Sequence, residues 1–263
     1  MFPQFLLSLF LYFAAVNSKS RRSLFSPITK NLDAKRVVRI TSLTEAGPQF
    51  CTGVLLSEYV VLTAAHCIFN EELGKEPLLI DVENEKGSSK VKKFFLHNDY
   101  RPSAPCNDVA LLILENGVPT SRIPIYFGCG KQWISGNCSA YGLGITEDER
   151  LSESVREVHF KVFDPQSDSF RDDTCWETFY TTRAKLCQGD SGGPVICRMD
   201  GKSIVMGVNI QVISTYYGED ILTLCKMSYG SIISNYRAIS ELLTQIPVFY
   251  QRFILNDIRT LDC

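Results

Sequence analysis

Apolar residues fall along this chain in short runs separated by clusters of Gly, Asn, Ser and Pro. Val37-Val38-Arg39-Ile40-Thr41-Ser42 reads as a strand, and Gly47-Pro48 as a turn. Val54-Leu55-Leu56 and Val60-Val61-Leu62 predict a hairpin. Further runs lie at Leu78 to Val82, Val91 to Leu96 and Val109 to Leu114, with turn chemistry such as Glu85-Lys86-Gly87-Ser88-Ser89 between them. Ala140 to Ile145, Val155 to Phe163, Val195-Ile196-Cys197 and Ile204 to Val212 continue the pattern. Many short strands joined by turns predict an all-β barrel or sandwich. One stretch changes period: Asn235 to Ile246 places Ile239, Leu242, Leu243 and Ile246 three to four residues apart. That spacing predicts an amphipathic helix, which Pro247 stops.

The length of 263 residues suits one or two domains with a sizeable core. The net charge is −2 and no Lys/Arg run is long enough for a nucleic-acid partner. Phe2 to Val16 is almost wholly apolar and is followed by polar Asn17-Ser18-Lys19-Ser20. It is too short and wrongly flanked for a membrane span, so residues 1–18 read as a secretory signal cut after Ser18. No later apolar run reaches spanning length, and the expected mature protein is soluble and extracellular. Lys19-Ser20-Arg21-Arg22 reads as a short basic pro-segment, residues 23–247 as one domain and 248–263 as an extension. Ten cysteines in an exported chain imply disulfides. A zinc site is the competing reading, but no CxxC spacing supports it. Asn137-Cys138-Ser139 fits the glycosylation pattern, with a cysteine in the middle that argues against its use.

The chemistry gathers around Cys187-Gln188-Gly189-Asp190-Ser191-Gly192-Gly193-Pro194. Ser191 is the candidate nucleophile, and the glycines let backbone approach a substrate closely. The N–H groups of Gly189 and Ser191 are placed to meet a developing oxyanion. A serine hydroxyl needs a base at neutral pH, and His66 in Leu62-Thr63-Ala64-Ala65-His66-Cys67 supplies an imidazole. The imidazole needs a carboxylate to fix its tautomer, and Asp108 in Asn107-Asp108-Val109-Ala110-Leu111-Leu112 offers one. His97 and His159 lack such a setting and read as ordinary surface or strand residues.

Taken together, TAAHC, NDVALL and CQGDSGGP in the order His, Asp, Ser resemble the trypsin/chymotrypsin-like serine peptidases, from roughly Val37 to Leu243. The resemblance implies two packed six-stranded antiparallel β-barrels, a C-terminal α-helix and a cleft holding His66, Asp108 and Ser191. It implies protein or peptide substrates and protein inhibitors as partners, with no metal or cofactor. It implies disulfides Cys51–Cys67, Cys138–Cys197 and Cys187–Cys225, leaving Cys106, Cys129, Cys175 and Cys263 with three pairings open. Lys185, Gln188, Ile210, Gln211 and Val212 fall at its substrate-binding positions.

Three departures from the family matter. Lys185 stands where trypsin-like members carry Asp at the pocket base. A buried unpaired ammonium is costly, so a substrate carboxylate, an internal acid (Glu219 or Asp220) or solvent must receive it. The favoured expectation is cleavage after Asp or Glu. Ile210-Gln211-Val212 replaces the usual Ser-Trp-Gly, which removes a hydrogen bond to the triad acid and narrows the pocket mouth. No IVGG terminus exists to pair with Asp190; cutting after Arg22 would free Ser23, and cutting after Arg36 would free Val37. The leading reading is a zymogen of a secreted serine endopeptidase. The alternative is a peptidase-like binding protein that has lost turnover. An esterase fits less well, because no helix follows Gly189-Asp190-Ser191-Gly192-Gly193.

Overall fold

The structure, a computed structural model, describes residues 26–29, 31–69, 77–104, 106–121, 125–127, 137–162, 174–255 and 258–260. The expected secretory signal, the basic segment 19–22 and Ser23 lie outside the described residues.

The first half of the chain forms β1 (Val37–Thr44), β2 (Gly47–Ser57), β3 (Val60–Thr63), β4 (Leu79–Asn84), β5 (Gly87–Leu96) and β6 (Ala110–Leu114). They close into a barrel in the order β1-β2-β3-β6-β5-β4, every pair antiparallel. β7 (Ile125–Phe127) follows. The second half supplies β8 (Asn137–Gly142), β9 (Arg156–Val162), β10 (Cys175–Tyr180), β11 (Pro194–Met199), β12 (Lys202–Ser214) and β13 (Ser228–Asn235). Their order is β11-β8-β9-β10-β13-β12, and β11–β12 pairing closes this ring as well. β7 lies parallel to β12, and β14 (Ile258–Thr260) lies parallel to β7. The expectation of two six-stranded antiparallel barrels is met.

Period-two alternation decides which core each residue joins. Leu55 and Val61 point into the first barrel beside Val38, Ile40, Val82 and Leu112. Their neighbours Val54, Leu56, Val60 and Leu62 point outward, into a seam shared with Tyr141, Leu143, Ile196 and Val208 of the second half. The second barrel encloses its own cluster around Phe160, Trp176, Val195, Met206 and Ile233. β2, β3 and β6 are therefore apolar on both faces over their buried stretches, and the seam fixes one barrel against the other. Truncating a seam residue such as Leu62 to Ala would cost about 2–5 kcal/mol.

Three helices complete the fold: α1 (Ile221–Lys226), α2 (Tyr236–Gln245) and α3 (Val248–Leu255). Asn235 caps α2, accepting from the Arg237 N–H at 2.8 Å, so the helix begins one residue later than its apolar spacing suggests. Ile239 and Leu242 are its buried face and join the seam. Pro247 ends α2 and also opens α3, its carbonyl accepting from the N–H groups of Tyr250 and Gln251.

The pairings Cys51–Cys67, Cys138–Cys197 and Cys187–Cys225 are present. Cys106 pairs with Cys175, which resolves two of the four cysteines left open; Cys129 and Cys263 lie outside the described residues.

Candidate active site

His66 sits in a single 3-10 turn, Ala65–Cys67, at the end of β3. Ala64 and Ala65 are wholly buried, so this turn is packed into the first barrel, and the Cys51–Cys67 bond clamps it to β2. Asp108 lies two residues ahead of β6, buried at 4 % exposure. The β3–β6 pairing brings the two loops together. Asp108 Oδ1 accepts from the His66 backbone N–H at 2.9 Å, and Oδ2 meets ring Nδ1 at 2.6 Å. Burial pushes the imidazole pKa down, but the charge and hydrogen bond of Asp108 outweigh it, and the pKa is raised.

Ser191 lies in the connection from β10 to β11. Gly189 (φ +91°) and Gly192 (φ +77°) hold left-handed backbone on either side, which only glycine adopts at little cost. The loop is pinned to the first barrel by Thr52, whose N–H donates to the Ser191 carbonyl at 2.8 Å and whose hydroxyl donates to the Gly189 carbonyl at 2.7 Å. It is pinned to β12 by the Gly192 N–H on the Asn209 carbonyl at 2.7 Å. Nothing in the sequence pattern marks Thr52; its role comes from the seam. The Ser191 hydroxyl, half-buried, donates to the Ile210 carbonyl at 3.3 Å. Among the described residues it makes no hydrogen bond to His66, whose Nε2 faces Cys67 Sγ at 3.9 Å. The N–H groups of Gly189 and Ser191 are likewise unengaged among the described residues. The structure thus joins His66 to Asp108 directly, and brings Ser191 to the same cleft through Thr52 and Cys67.

Asp190 points away from the cleft into the protein, wholly buried against Gly142 and Gly144. Its carboxylate accepts from the N–H groups of Gly144 at 2.7 Å and Cys187 at 2.8 Å. Burial raises its pKa to about 6, against the pull of those two bonds and the charge of Arg156. Arg156 is itself buried, donating to the Ser152 hydroxyl and the Ser26 carbonyl. Asp190 makes no ion pair among the described residues.

Lys185 places its ammonium on the Ser228 carbonyl at 2.6 Å and over the Tyr180 ring at 4.8 Å. Neither Glu219 nor Asp220 pairs with it; Asp220 instead caps α1 through the Thr223 N–H. Burial lowers the Lys185 pKa. Ile210 is buried and Gln211 exposed, while Val212 is half-buried against the cluster inside the second barrel. Gln188 is exposed, its carbonyl accepting from the Ile145 N–H at 2.8 Å. His159 is a strand residue bonded to Ser139, as expected of a residue outside the site. His97 is more buried than expected, 2 % exposed, with Nδ1 accepting from the Asp99 N–H.

Cys51, His66 and Cys67 offer three donor atoms within 4.8 Å of one another, but both sulfurs are committed to a disulfide, leaving one imidazole as ligand. A cavity of about 600 Å³ opens elsewhere, between the segment Ile28–Val37, Leu143 and the β4–β5 turn at Glu83–Lys86. It contains none of His66, Asp108 and Ser191, so volume and acid–base chemistry point to different places, and the chemistry decides.

Comparisons with known proteins agree with this arrangement. A family model described as trypsin matches residues 33–221. Tissue-type plasminogen activator of Bos taurus is 26% identical over 219 residues, 70% of this chain and 38% of its own length. Trypsin eta of Drosophila erecta is 25% identical over 194 residues, 64% of this chain and 72% of its own. Granzyme M of Homo sapiens is 30% identical over 175 residues, 60% of this chain and 68% of its own. The chain therefore spans well under half of the plasminogen activator and about two thirds of the other two.

Proposed function

Since the chain belongs to the trypsin family, we propose that it is a secreted serine endopeptidase acting through Ser191, His66 and Asp108. Ser191 Oγ attacks the scissile carbonyl while His66 takes its proton, and Asp108 holds the ring with Nε2 toward the cleft. The N–H groups of Gly189 and Ser191 receive the oxyanion. His66 then protonates the leaving amine, and water hydrolyses the acyl-enzyme by the same route in reverse. The observation that carries this reading is the pair of hydrogen bonds from His66 to Asp108, at 2.9 and 2.6 Å, beside two N–H groups unengaged among the described residues.

The finer reading is a preference for Asp or Glu before the cut. Lys185 has no acidic partner among the described residues, and its ammonium rests on a neutral carbonyl and an aromatic face. A substrate carboxylate would supply the missing charge. Four disulfides support an oxidising, extracellular setting, as does the apolar leader. Among the described residues no helix is long and apolar enough to cross a membrane. For activation, cutting after Arg22 is favoured over Arg36, which is buried, holds the Leu55 and Ser121 carbonyls and is followed directly by β1.

A second reading, a binding protein without turnover, is favoured by the Ser191 hydroxyl resting on the Ile210 carbonyl and by Asp190 lacking an ion pair among the described residues. Labelling with a serine-reactive fluorophosphonate, before and after limited tryptic nicking, separates the two. Labelling lost in Ser191→Ala is expected; a wild-type chain that never labels would make it the binding protein.

A further inference from the structure

Asp108 has an unusual set of neighbours for a buried carboxylate. Among the described residues both its oxygens are held only by His66, through the backbone N–H and the ring. The second barrel sends it no donor among the described residues, and Ile210 of β12, which packs on the neighbouring Cys106, is apolar. Yet Asp108 must keep its place relative to the second barrel, since Ser191 and the Ile210 carbonyl that meets it belong there.

A covalent bond stands at that point. Of the four described disulfides, Cys106–Cys175 is the one that crosses between the barrels, joining the turn before β6 to the first residue of β10. Both cysteines are buried and pack on Ile210, with Ile232 behind it. Cys106 is two residues from Asp108, and the residue between them is not slack. Asn107 takes φ +61°, its carbonyl accepts from the Val109 N–H at 2.9 Å, and its buried side-chain oxygen finds no partner among the described residues. Asparagine is among the few non-glycine residues that hold such backbone readily, so this turn is a defined one rather than loose chain.

We infer that the Cys106–Cys175 disulfide is a positioning element for Asp108, setting the carboxylate against His66 and in register with Ser191 across the barrels, in place of a hydrogen bond from β12. The link runs from Cys175 through Cys106 and the constrained Asn107 to Asp108, and from the same sulfurs through Ile210 to Ser191. The bond touches no substrate; it acts through Asp108. Among the described residues Asp108 is the charged group that meets His66; the other polar contacts are the Gln49 amide on its backbone carbonyl and the Cys67 sulfur near Nε2, both neutral.

The test is the double variant Cys106→Ala/Cys175→Ala in the full chain, which leaves no lone thiol. Its kinetic arm rests on the peptidase reading: kcat should fall roughly 10–100-fold with KM changed far less. Its second arm needs no turnover. NMR titration of His66 should show the ring losing part of its raised basicity, a shift to lower pKa. Cys138→Ala/Cys197→Ala, within the second barrel, is the control and should weaken the fold without moving that titration. Asn107→Gly keeps every disulfide and frees only the connecting turn, so it serves if the first variant does not fold, and the same direction of shift is expected. An unchanged His66 titration in either folded variant overturns the inference, whether or not the chain turns over peptides. A wild-type chain with normal His66–Asp108 titration but no turnover counts against the peptidase reading alone.

Discussion

The carboxylate of Asp108 holds His66 twice, at the backbone N–H and at ring Nδ1. One contact sets where the imidazole starts and the other sets which way it faces. Asp108→Asn keeps the shape but reverses one donor, so the ring would be held in the wrong tautomer. A fall in kcat of roughly 10⁴-fold is expected, the loss characteristic of this family's relay rather than a figure particular to this chain. The wild-type rate should rise with pH through a midpoint above 6.5, and that midpoint should drop in the variant. A midpoint unmoved by the substitution would show that Asp108 does not govern His66.

Asp190 gives a stability signature of opposite kind. Its pKa is raised from 3.8 in the unfolded chain to about 6 by burial, so the folded chain binds the extra proton between those values. Its contribution is therefore favourable at low pH and is lost as pH rises through about 6, an effect on the order of 3 kcal/mol at full ionisation. Asp190→Asn should remove that slope. Urea unfolding across pH 4 to 7 should show the difference between variant and wild type growing in the variant's favour as pH rises; parallel curves would contradict it.

Lys185 should set the preferred residue before the cut. With Lys185→Met, kcat/KM for substrates carrying Asp or Glu there should fall roughly 10–100-fold, the worth of one charge-assisted hydrogen bond. Profiling both proteins on a peptide library reads this directly. Cleavage after Arg or large apolar residues by the wild type would end the acidic-substrate idea.

Ile210→Ser restores the residue type common in the family, but not its surroundings. The side chain is packed against Cys106, Cys175 and Ile232, so truncation leaves a void and a buried hydroxyl. A loss of about 2–4 kcal/mol in urea unfolding is expected, in line with other large-to-small core changes. A variant as stable as its parent would show that Ile210 is not a packing residue.

The sequence revealed most where the physics is local. The apolar runs Val54-Leu55-Leu56 and Val60-Val61-Leu62 of β2 and β3, the spacing of Ile239, Leu242 and Leu243, and the three motifs around His66, Asp108 and Ser191 all rest on neighbours a few residues apart. β10 and β13 were hidden, because Thr178 and Ser231 put hydroxyls at buried positions among Trp176 and Ile233, where alternation leads one to look for Val or Ile. Thr178 and Ser231 are wholly buried and satisfy one another, the hydroxyls 2.9 Å apart and the Thr178 hydroxyl also on the Ser231 carbonyl. Such a pair reads as a loop until its partner strand is known. The Cys106–Cys175 bond was equally out of reach, since it joins residues 69 apart that only barrel packing brings together. The Lys185 ammonium illustrates a third limit. Its residue type raised the question of a counter-charge, but only the fold shows the Ser228 carbonyl and Tyr180 ring receiving it.

The parallel addition of β14 to β7 has a consequence for solubility. With β12 on one side and β14 on the other, β7 offers no open row of amides to a passing chain, and β14 itself is only three residues long, too short a rim to template much. A molecule shortened at Pro247 would bare that row. That row is itself three residues long, so losing the tail would wet it without offering much of a template, and shortened copies should stay apart even when concentrated.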